Sequence, residues 1–153
     1  LIEWKYTESY GGNYLGIADS GTDRRKIYQH LFDDVDCVVN KELLTSIDAL
    51  YYEPFYQLMR QQFLASKMEE ARELGADLVS LLHISPNVNN DFKRITSPAL
   101  SGLGSNPTEI WKKLVKPENR FSSVYTEDLY SGYISNAMQD WKTYVQSRYT
   151  WLV

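Results

Sequence analysis

The 153-residue chain has few of the side chains from which soft-metal and redox sites are built. Cys37 is its single cysteine, which excludes an internal disulfide and a zinc site made of several cysteines. With His30 and His83 as the two histidines, a histidine-rich metal centre is not expected either. The sequence also contains no recognisable signal peptide and no apolar run long enough to span a bilayer. We therefore expect a cytoplasmic protein that does not contact membranes.

Excess positive charge is also absent, because the formal net charge is −4 and the sequence pI is about 5.2. Proteins that coat nucleic acid without specificity are usually basic, so this composition argues against that role. A nuclease remains compatible with it, since the active site of a metal-dependent nuclease is itself acidic. The two basic clusters, at 23–26 and 112–116, are interpreted as solvated helix faces.

Length and composition indicate one soluble domain with a single core, because hydrophobic residues make up 43% and charged residues 24% of the chain. Hydrophobic spacing, capping residues and turn signals predict the order of its elements. Strands are predicted at 1–6, 76–84 and 121–125, and helices at 24–32, 42–51, 54–74, 106–115 and from 135 or 136 to 149.

The first strand carries the most informative pattern. Side chains alternate along a strand, so Glu3 and Lys5 project together from one face, and Ile2, Trp4 and Tyr6 project from the other. A carboxylate beside an ammonium is suited to metal-assisted hydrolysis, in which the carboxylate binds Mg²⁺ and the amine orients a water and stabilises phosphate charge. A solvated ion pair with no chemical role is the alternative.

A second signal lies on the helix at 54–74. Helical spacing places Gln57 and Gln61 one turn apart within an arc expected to face the core, together with Leu64, Ala65, Met68 and Ala71. A buried amide without partners costs about 1–3 kcal/mol. The pair therefore predicts that this end of the helix borders a polar cavity, with structural hydrogen bonds to nearby loops as the alternative.

The opening run Leu1-Ile2-Glu3-Trp4-Lys5-Tyr6-Thr7-Glu8 resembles the second half of the motif of the PD-(D/E)XK, or restriction-endonuclease-like, nuclease superfamily. The resemblance implies an α/β fold with a restriction-endonuclease-like core, in which helices flank a mixed sheet. Within a single domain, residues 1–85 would form a partial core and residues 86–153 a mainly helical C-terminal elaboration.

The same resemblance implies the parts of an active site. Glu3 and the Trp4 carbonyl would bind Mg²⁺ or Mn²⁺, and Lys5 would assist the attacking water. Gln57 and Gln61 would hold a water or a phosphate oxygen beside them. The family also has an Asp on the preceding strand, which this sequence cannot supply because it begins at Leu1. We therefore expect a fragment that is inactive without its upstream part.

These observations favour a metal-dependent nuclease that hydrolyses phosphodiester bonds in nucleic acid, with DNA favoured over RNA as its substrate. The alternative is a non-catalytic module of the same fold that binds nucleic acid or a protein, and a third reading is an unrelated α+β interaction domain. Two further side chains are interpreted as structural. Glu8 has the opposite strand parity to Glu3, so it would reach the site only through a bulge or the end of the strand. His83 is expected to be a hydrogen-bonded core histidine.

Overall fold

The computed structural model describes residues 1–5, 8–44, 46–133 and 139–150 of the chain. The strands are β1 (Ile2–Trp4), β2 (Leu81–Ser85) and β3 (Phe121–Tyr125). The α-helices are α1 (Arg25–Asp33), α2 (Phe55–Glu70), α3 (Pro107–Leu114), α4 (Thr126–Tyr133) and α5 (Gln139–Arg148). Short 3-10 helices occupy Ile47–Leu50, Glu73–Gly75, Pro98–Leu100 and Glu118–Arg120.

The three strands form one sheet in the order β1-β2-β3, and both neighbouring pairs are parallel. The register aligns Glu3 with His83 and His83 with Ser123, so these three side chains share one face. The α/β class is confirmed, but the predicted mixed sheet is wrong for the described residues. The reason is that a helix follows β1 and β2 before the next strand, and such crossovers return the chain to the same end of the sheet.

The hydrophobic core lies between α2 and the sheet face that carries Leu81 and Phe121. Trp111 of α3 is fully buried in the same cluster. Residues beyond 86 thus share the core with the first strands. The largest fully buried members of the cluster are Trp111, Tyr51, Phe55, Phe121, Ile47, Leu50, Leu58, Met59, Leu81, Leu100, Ile110 and Leu114.

The opposite sheet face is partly uncovered at β1. Ile2 is 71% exposed and Trp4 is 52% exposed, whereas Lys5 on the inner side is only 8% exposed. This arrangement reverses the usual burial of apolar side chains and exposure of charged ones. The polar side of β1 therefore faces α2 and the interior.

The predicted helix at 42–51 is wrong over most of its length. A 3-10 turn at Ile47–Leu50 is its main helical element among the described residues. Ser46 adopts an extended conformation (φ −145°, ψ 137°), and its hydroxyl accepts the Asp48 N–H at 3.1 Å. This capping bond starts a new turn at Ile47, so a helix from Glu42 cannot run through Ser46.

The predicted helix at 54–74 is confirmed for its main part but ends earlier, at Glu70. Arg72 and Leu74 have positive φ angles of 47° and 53°, which stop the right-handed helix before Gly75. The following strand also starts later than predicted, at Leu81 rather than 76, where its pairing with Phe121 of β3 begins.

The predicted helices at 24–32 and 106–115 and the strand at 121–125 are confirmed as α1, α3 and β3 to within one residue or two. Asn106 caps α3 as expected, since its side chain accepts the Glu109 N–H at 2.9 Å. The predicted start of the last helix, at Ser135 or Asn136, and the position of Tyr6 lie outside the described residues. None of the described helices is long and apolar enough to cross a bilayer.

Two leucines test the position of the core. Leu50 is fully buried, whereas Leu74 is 98% exposed. Leu50→Ala should lower the free energy of unfolding by about 2–5 kcal/mol, because it removes buried methyl groups and leaves a cavity. Leu74→Ala makes the same chemical change on the surface and should cost less than about 0.5 kcal/mol. Urea unfolding curves measure both, and equal losses would contradict this core.

Candidate functional site

The Lys5 ammonium is the centre of a polar cluster beneath the sheet. Its Nζ lies 2.6 Å from Oε1 of Glu3 and 3.6 Å from Oε1 of Glu8, and it donates a hydrogen bond to Oε1 of Gln57 on α2. The Lys5 backbone N–H bonds to the Ile84 carbonyl at 2.8 Å, which extends the β1–β2 ladder and fixes the base of the side chain. The strand and the helix therefore hold one amine between them.

Burying a lysine is costly unless charged and polar partners replace its water. Here two carboxylates and an amide oxygen supply that replacement, while Lys5 remains 8% exposed. The structure thus brings three of the four predicted catalytic side chains together: Glu3, Lys5 and Gln57. An exposed, solvated ion pair does not describe this arrangement.

Gln57 reaches Lys5 because α2 is rotated relative to the sequence prediction. The arc that contains Gln57 and Gln61 is half-buried, and Leu64 in the same arc is 54% exposed. Ala65 of the predicted arc is fully buried, and the other buried side chains of the helix are Phe55, Tyr56, Leu58, Met59, Gln62 and Phe63. Apolar residues occur around most of this helix, so its periodicity could not identify the face that is buried.

Gln61, the fourth predicted catalytic residue, lies one turn beyond Gln57. Its Oε1 is buried and has no hydrogen-bond partner within the described residues. The adjacent Gln62 is fully buried, and neither polar atom of its amide is hydrogen-bonded there. Buried amides without partners are uncommon in folded proteins, and such atoms occur where a ligand or ordered water completes the site.

Glu8 joins the cluster although strand parity predicted otherwise. The strand ends at Trp4, so the alternation of side chains does not extend to residue 8. Glu8 instead approaches Lys5 from the loop, at 3.6 Å between Oε1 and Nζ. Glu8 therefore reaches the cluster past the end of the strand, although a purely structural role was favoured from the sequence.

Sequence reasoning missed Glu53, which precedes α2 and lies near Gln57 and Lys5. Burial raises the pKa of its carboxyl, and the neighbouring Gln57, Lys5 and Arg60 offset this effect only in part. Its Oε2 is buried without a hydrogen-bond partner among the described residues. The four-residue spacing between Glu53 and Gln57 was the available signal, since such residues lie on one face of a helical turn.

An aromatic wall closes the other side of the cluster. The rings of His83 and Phe92 stack at 4.5 Å between centroids, and Tyr10 contacts Phe92 at 5.8 Å. The pKa of Tyr10 is raised by burial and then by the nearby carboxylates of Glu8, Glu53 and Glu3. Sequence patterning gave no signal for Tyr10 or Phe92, because both lie in loops.

His83 is a core histidine as predicted, and its side chain is 1% exposed. The predicted hydrogen bond is not found, because neither ring nitrogen has a partner in the described part of the chain. Burial, with the charge of Lys5, lowers the pKa of His83 to about 4. The imidazole is therefore neutral at physiological pH and stacks as an aromatic ring.

The backbone of β1 fixes the direction of one further oxygen, that of the Trp4 carbonyl. The Leu82 N–H bonds to the Leu1 carbonyl and the Lys5 N–H to the Ile84 carbonyl, so the odd residues of β1 bond to β2. Because bonding direction alternates along a strand, the Trp4 carbonyl points away from β2, toward the edge of the sheet. Trp4 lies between Glu3 and Lys5 in the sequence.

These donors are compatible with Mg²⁺. The ion is bound by one or two carboxylates together with waters, and Glu3, Glu8 and the Trp4 carbonyl supply such oxygens. The carboxyl groups of Glu3, Glu8 and Glu53 lie in the same region as the one ammonium of Lys5. Negative charge is therefore in excess there and favours a cation. Within the described residues, however, no three His, Cys, Asp or Glu side chains converge closely enough to enclose a metal by themselves.

A separate cavity of about 390 Å³ lies near the other end of α2. Its lining includes Cys37, Lys67, Glu69 and Arg120 but none of the cluster around Lys5. Glu69 and Arg120 are paired at 2.6 Å, and burial raises the pKa of the Cys37 thiol. This cavity therefore offers no activated nucleophile at neutral pH.

The low pKa of His83 makes stability depend on pH. The unfolded chain takes up a proton near pH 6.5, whereas the folded protein resists protonation down to about pH 4. Folding stability should therefore fall as the pH decreases through this window, by up to roughly 3 kcal/mol from this residue. His83→Phe, which keeps a ring against Phe92, should show a smaller loss between pH 7 and pH 4 in urea unfolding. An equal loss in both proteins would contradict a buried neutral imidazole.

Comparison with known proteins gives one assignment. The chain matches no curated protein and no solved structure significantly. The sequence profile of a family described as "restriction endonuclease associating with ARP" matches residues 1–150, which is nearly the whole chain. This match confirms the restriction-endonuclease-like relationship expected from the opening strand. The protein belongs to the REase-ARP family, the restriction endonucleases associating with ARP.

Proposed function

We propose that this protein is a Mg²⁺-dependent nuclease of the PD-(D/E)XK type that hydrolyses phosphodiester bonds in nucleic acid, with DNA favoured over RNA. The observation that carries the proposal is the buried Lys5 amine held between Glu3 on the strand and Gln57 on α2. The restriction-endonuclease-like family supports the same chemistry. A structural role alone gives no reason to bury an ammonium while Ile2 is exposed.

The metal would be held by the carboxylate of Glu3 and the carbonyl of Trp4, with Glu8 as the nearest further carboxylate. Mg²⁺, or Mn²⁺ in its place, would act as a Lewis acid that neutralises charge on the scissile phosphate. The family pattern leads us to expect another ligand, an Asp from a preceding strand. Glu8, whose Oε1 lies 3.6 Å from the Lys5 amine, would offer one further carboxylate oxygen to the metal.

The side chains around Lys5 would position the attacking water and stabilise the charge that develops on the phosphate. Lys5 Nζ donates hydrogen bonds to the attacking water and to the phosphate oxygen that gains charge in the transition state. Gln57 keeps the amine at this position through its Oε1. Gln61, whose Oε1 is buried and unbonded within the described chain, accepts a hydrogen bond from a water at the site.

The second candidate function is a non-catalytic module of the same fold that binds nucleic acid or a protein partner. Two observations favour it. The described residues do not enclose a metal with three side chains, and Ile2 with Trp4 leaves an apolar sheet face exposed, as binding surfaces do. The family description names an association with ARP, and this face is a candidate for such contact.

Replacing Lys5 separates these functions. In the intact natural protein, Lys5→Met should lower Mg²⁺-dependent cleavage of plasmid DNA by about 10²-fold or more, because it removes the donor that stabilises transition-state charge. The methionine keeps the apolar length of the side chain. Single-turnover cleavage rates, with EDTA as the metal-free reference, measure the effect.

Lys113→Met is the matched control, since Lys113 forms an exposed ion pair with Glu109 on α3 at 2.9 Å. This variant should cleave DNA at the wild-type rate. Circular dichroism and urea unfolding confirm that both variants are folded. Wild-type cleavage by folded Lys5→Met would overturn the assignment of Lys5.

Metal binding tests Glu3 directly. Glu3→Gln should weaken Mn²⁺ binding by at least about tenfold in isothermal titration calorimetry, because the amide is a much poorer ligand than the carboxylate. Glu42→Gln, which neutralises an exposed carboxylate away from the site, should leave affinity unchanged. Equal affinities in the wild type and Glu3→Gln would favour the non-catalytic module.

A further inference from the structure

We propose that a cavity between α3 and the carboxyl ends of β2 and β3 binds an unpaired nucleobase close to the scissile phosphate, with Tyr125 as its stacking platform. The inference rests on the proposed function, because it names the part of the nucleic acid that this site would take. The cavity has a volume of about 350 Å³, and its lining includes Ser85, Lys112, Ser123, Tyr125 and Asp128. Cavities that hold small molecules have volumes of roughly 300–1,000 Å³, so a base fits within it.

The cavity lies on the same face of the sheet as Lys5. Ser85 pairs with Tyr125 in the register of β2 and β3. The Lys5 N–H bonds to the Ile84 carbonyl, so Lys5 continues β1 beside Ser85. Alternation places the side chains of Lys5, Ser85 and Tyr125 on one face, and two strand spacings, about 10 Å, separate β1 from β3. A phosphate at Lys5 and a base at Tyr125 can therefore belong to neighbouring nucleotides.

The Tyr125 ring has the exposure and the support that a stacking platform needs. It is 37% exposed, and the Lys93 ammonium lies over it at 5.4 Å from the ring centroid. Lys93 is itself held, because its Nζ donates to the Asn87 carbonyl at 2.6 Å and to Asn87 Oδ1 at 2.7 Å. The ammonium covers one face of the ring and leaves the other for a base. Stacking on an aromatic ring accepts every base, since all have a π-face.

Polar side chains of the cavity have hydrogen-bonding capacity that the protein does not use. Within the part of the chain that the structure describes, the side chains of Lys112, Ser123 and Asp128 form no hydrogen bond or ion pair. The adjacent Lys113, by contrast, pairs with Glu109 at 2.9 Å. An ammonium, a hydroxyl and a carboxylate together supply donors and acceptors for the edge of a base and for its phosphate.

The shape of the site selects an unpaired base. A base inside a duplex is stacked between its neighbours, so it must leave the stack before it can lie on the Tyr125 ring. Unstacking costs least where the base has no partner. Nucleic acid with an unpaired base near the cleavage position is therefore the substrate class that this cavity favours.

The test uses two DNA duplexes of equal length, one fully paired and one with a single unpaired 2-aminopurine. With Ca²⁺, which takes the same oxygen ligands as Mg²⁺, the intact natural protein should bind the second duplex about tenfold more tightly in fluorescence anisotropy. Tyr125→Ala should remove this preference, because stacking on the ring is lost. Tyr125→Phe keeps the ring and should stay within about twofold of the wild type.

The emission of 2-aminopurine gives a readout that a purely structural role of Tyr125 would not move. Stacking on an aromatic ring quenches this base, so its emission should fall when the wild type or Tyr125→Phe binds and should remain when Tyr125→Ala binds. Tyr144→Ala is the control for loss of a tyrosine, since Tyr144 is 58% exposed on α5 and does not line the cavity. It should behave as the wild type, and circular dichroism confirms that each variant is folded.

Neighbouring lysines on α3 form a matched pair for the polar contacts. Lys112→Met should weaken binding of the duplex with the unpaired base by about threefold or more, because it removes the ammonium that lines the cavity. Lys113→Met should leave the affinity unchanged, since Lys113 is already paired with Glu109.

Binding and cleavage separate this proposal from the proposed function. A wild-type protein that binds and quenches the unpaired base but does not cleave would overturn the nuclease assignment and support the base pocket. A protein that cleaves DNA but binds both duplexes equally, with the same affinities and emission in Tyr125→Ala, would overturn the base pocket alone.

Discussion

The interaction on which the structure of this site depends is the burial of one ammonium, that of Lys5, against Glu3, Glu8 and Gln57. An unpaired charge could not remain there, so strand, loop and helix must all contribute partners. This requirement turns the polar side of β1 toward α2, and it leaves the apolar side chains of Ile2 and Trp4 exposed. The reversed burial of the strand is thus a consequence of the cluster.

The site around Lys5 is acidic, as is the chain as a whole. Glu3 and Glu8 both pair with the single amine of Lys5, so these three side chains carry more negative than positive charge. Such a site disfavours a phosphate group by itself and favours a divalent cation, which can then attract the phosphate. A net charge of −4 is therefore consistent with a metal-dependent enzyme, although it argues against general coating of nucleic acid.

Much of this arrangement could be predicted from short-range patterns. Strand alternation placed Glu3 beside Lys5, and helical spacing placed Gln57 at a polar boundary, because both rules depend only on local geometry. Rules of this kind do not reach contacts made by loops. Glu8 is only three residues from Lys5, but it lies beyond the end of β1, where strand alternation no longer applies, and Glu53 lies outside the regular part of α2. The face of α2 that is buried could not be predicted either, since apolar residues surround much of the helix.

A crystal structure of the natural protein grown with Mn²⁺ and a nucleic-acid duplex, with anomalous scattering recorded at the manganese edge, tests the central claim most directly. The account predicts a manganese peak at coordination distance, about 2.2 Å, from the Glu3 carboxylate and the Trp4 carbonyl, with Lys5 Nζ facing the phosphate. A structure with nucleic acid bound elsewhere, and with Glu3 still paired to Lys5 and free of metal, would contradict it.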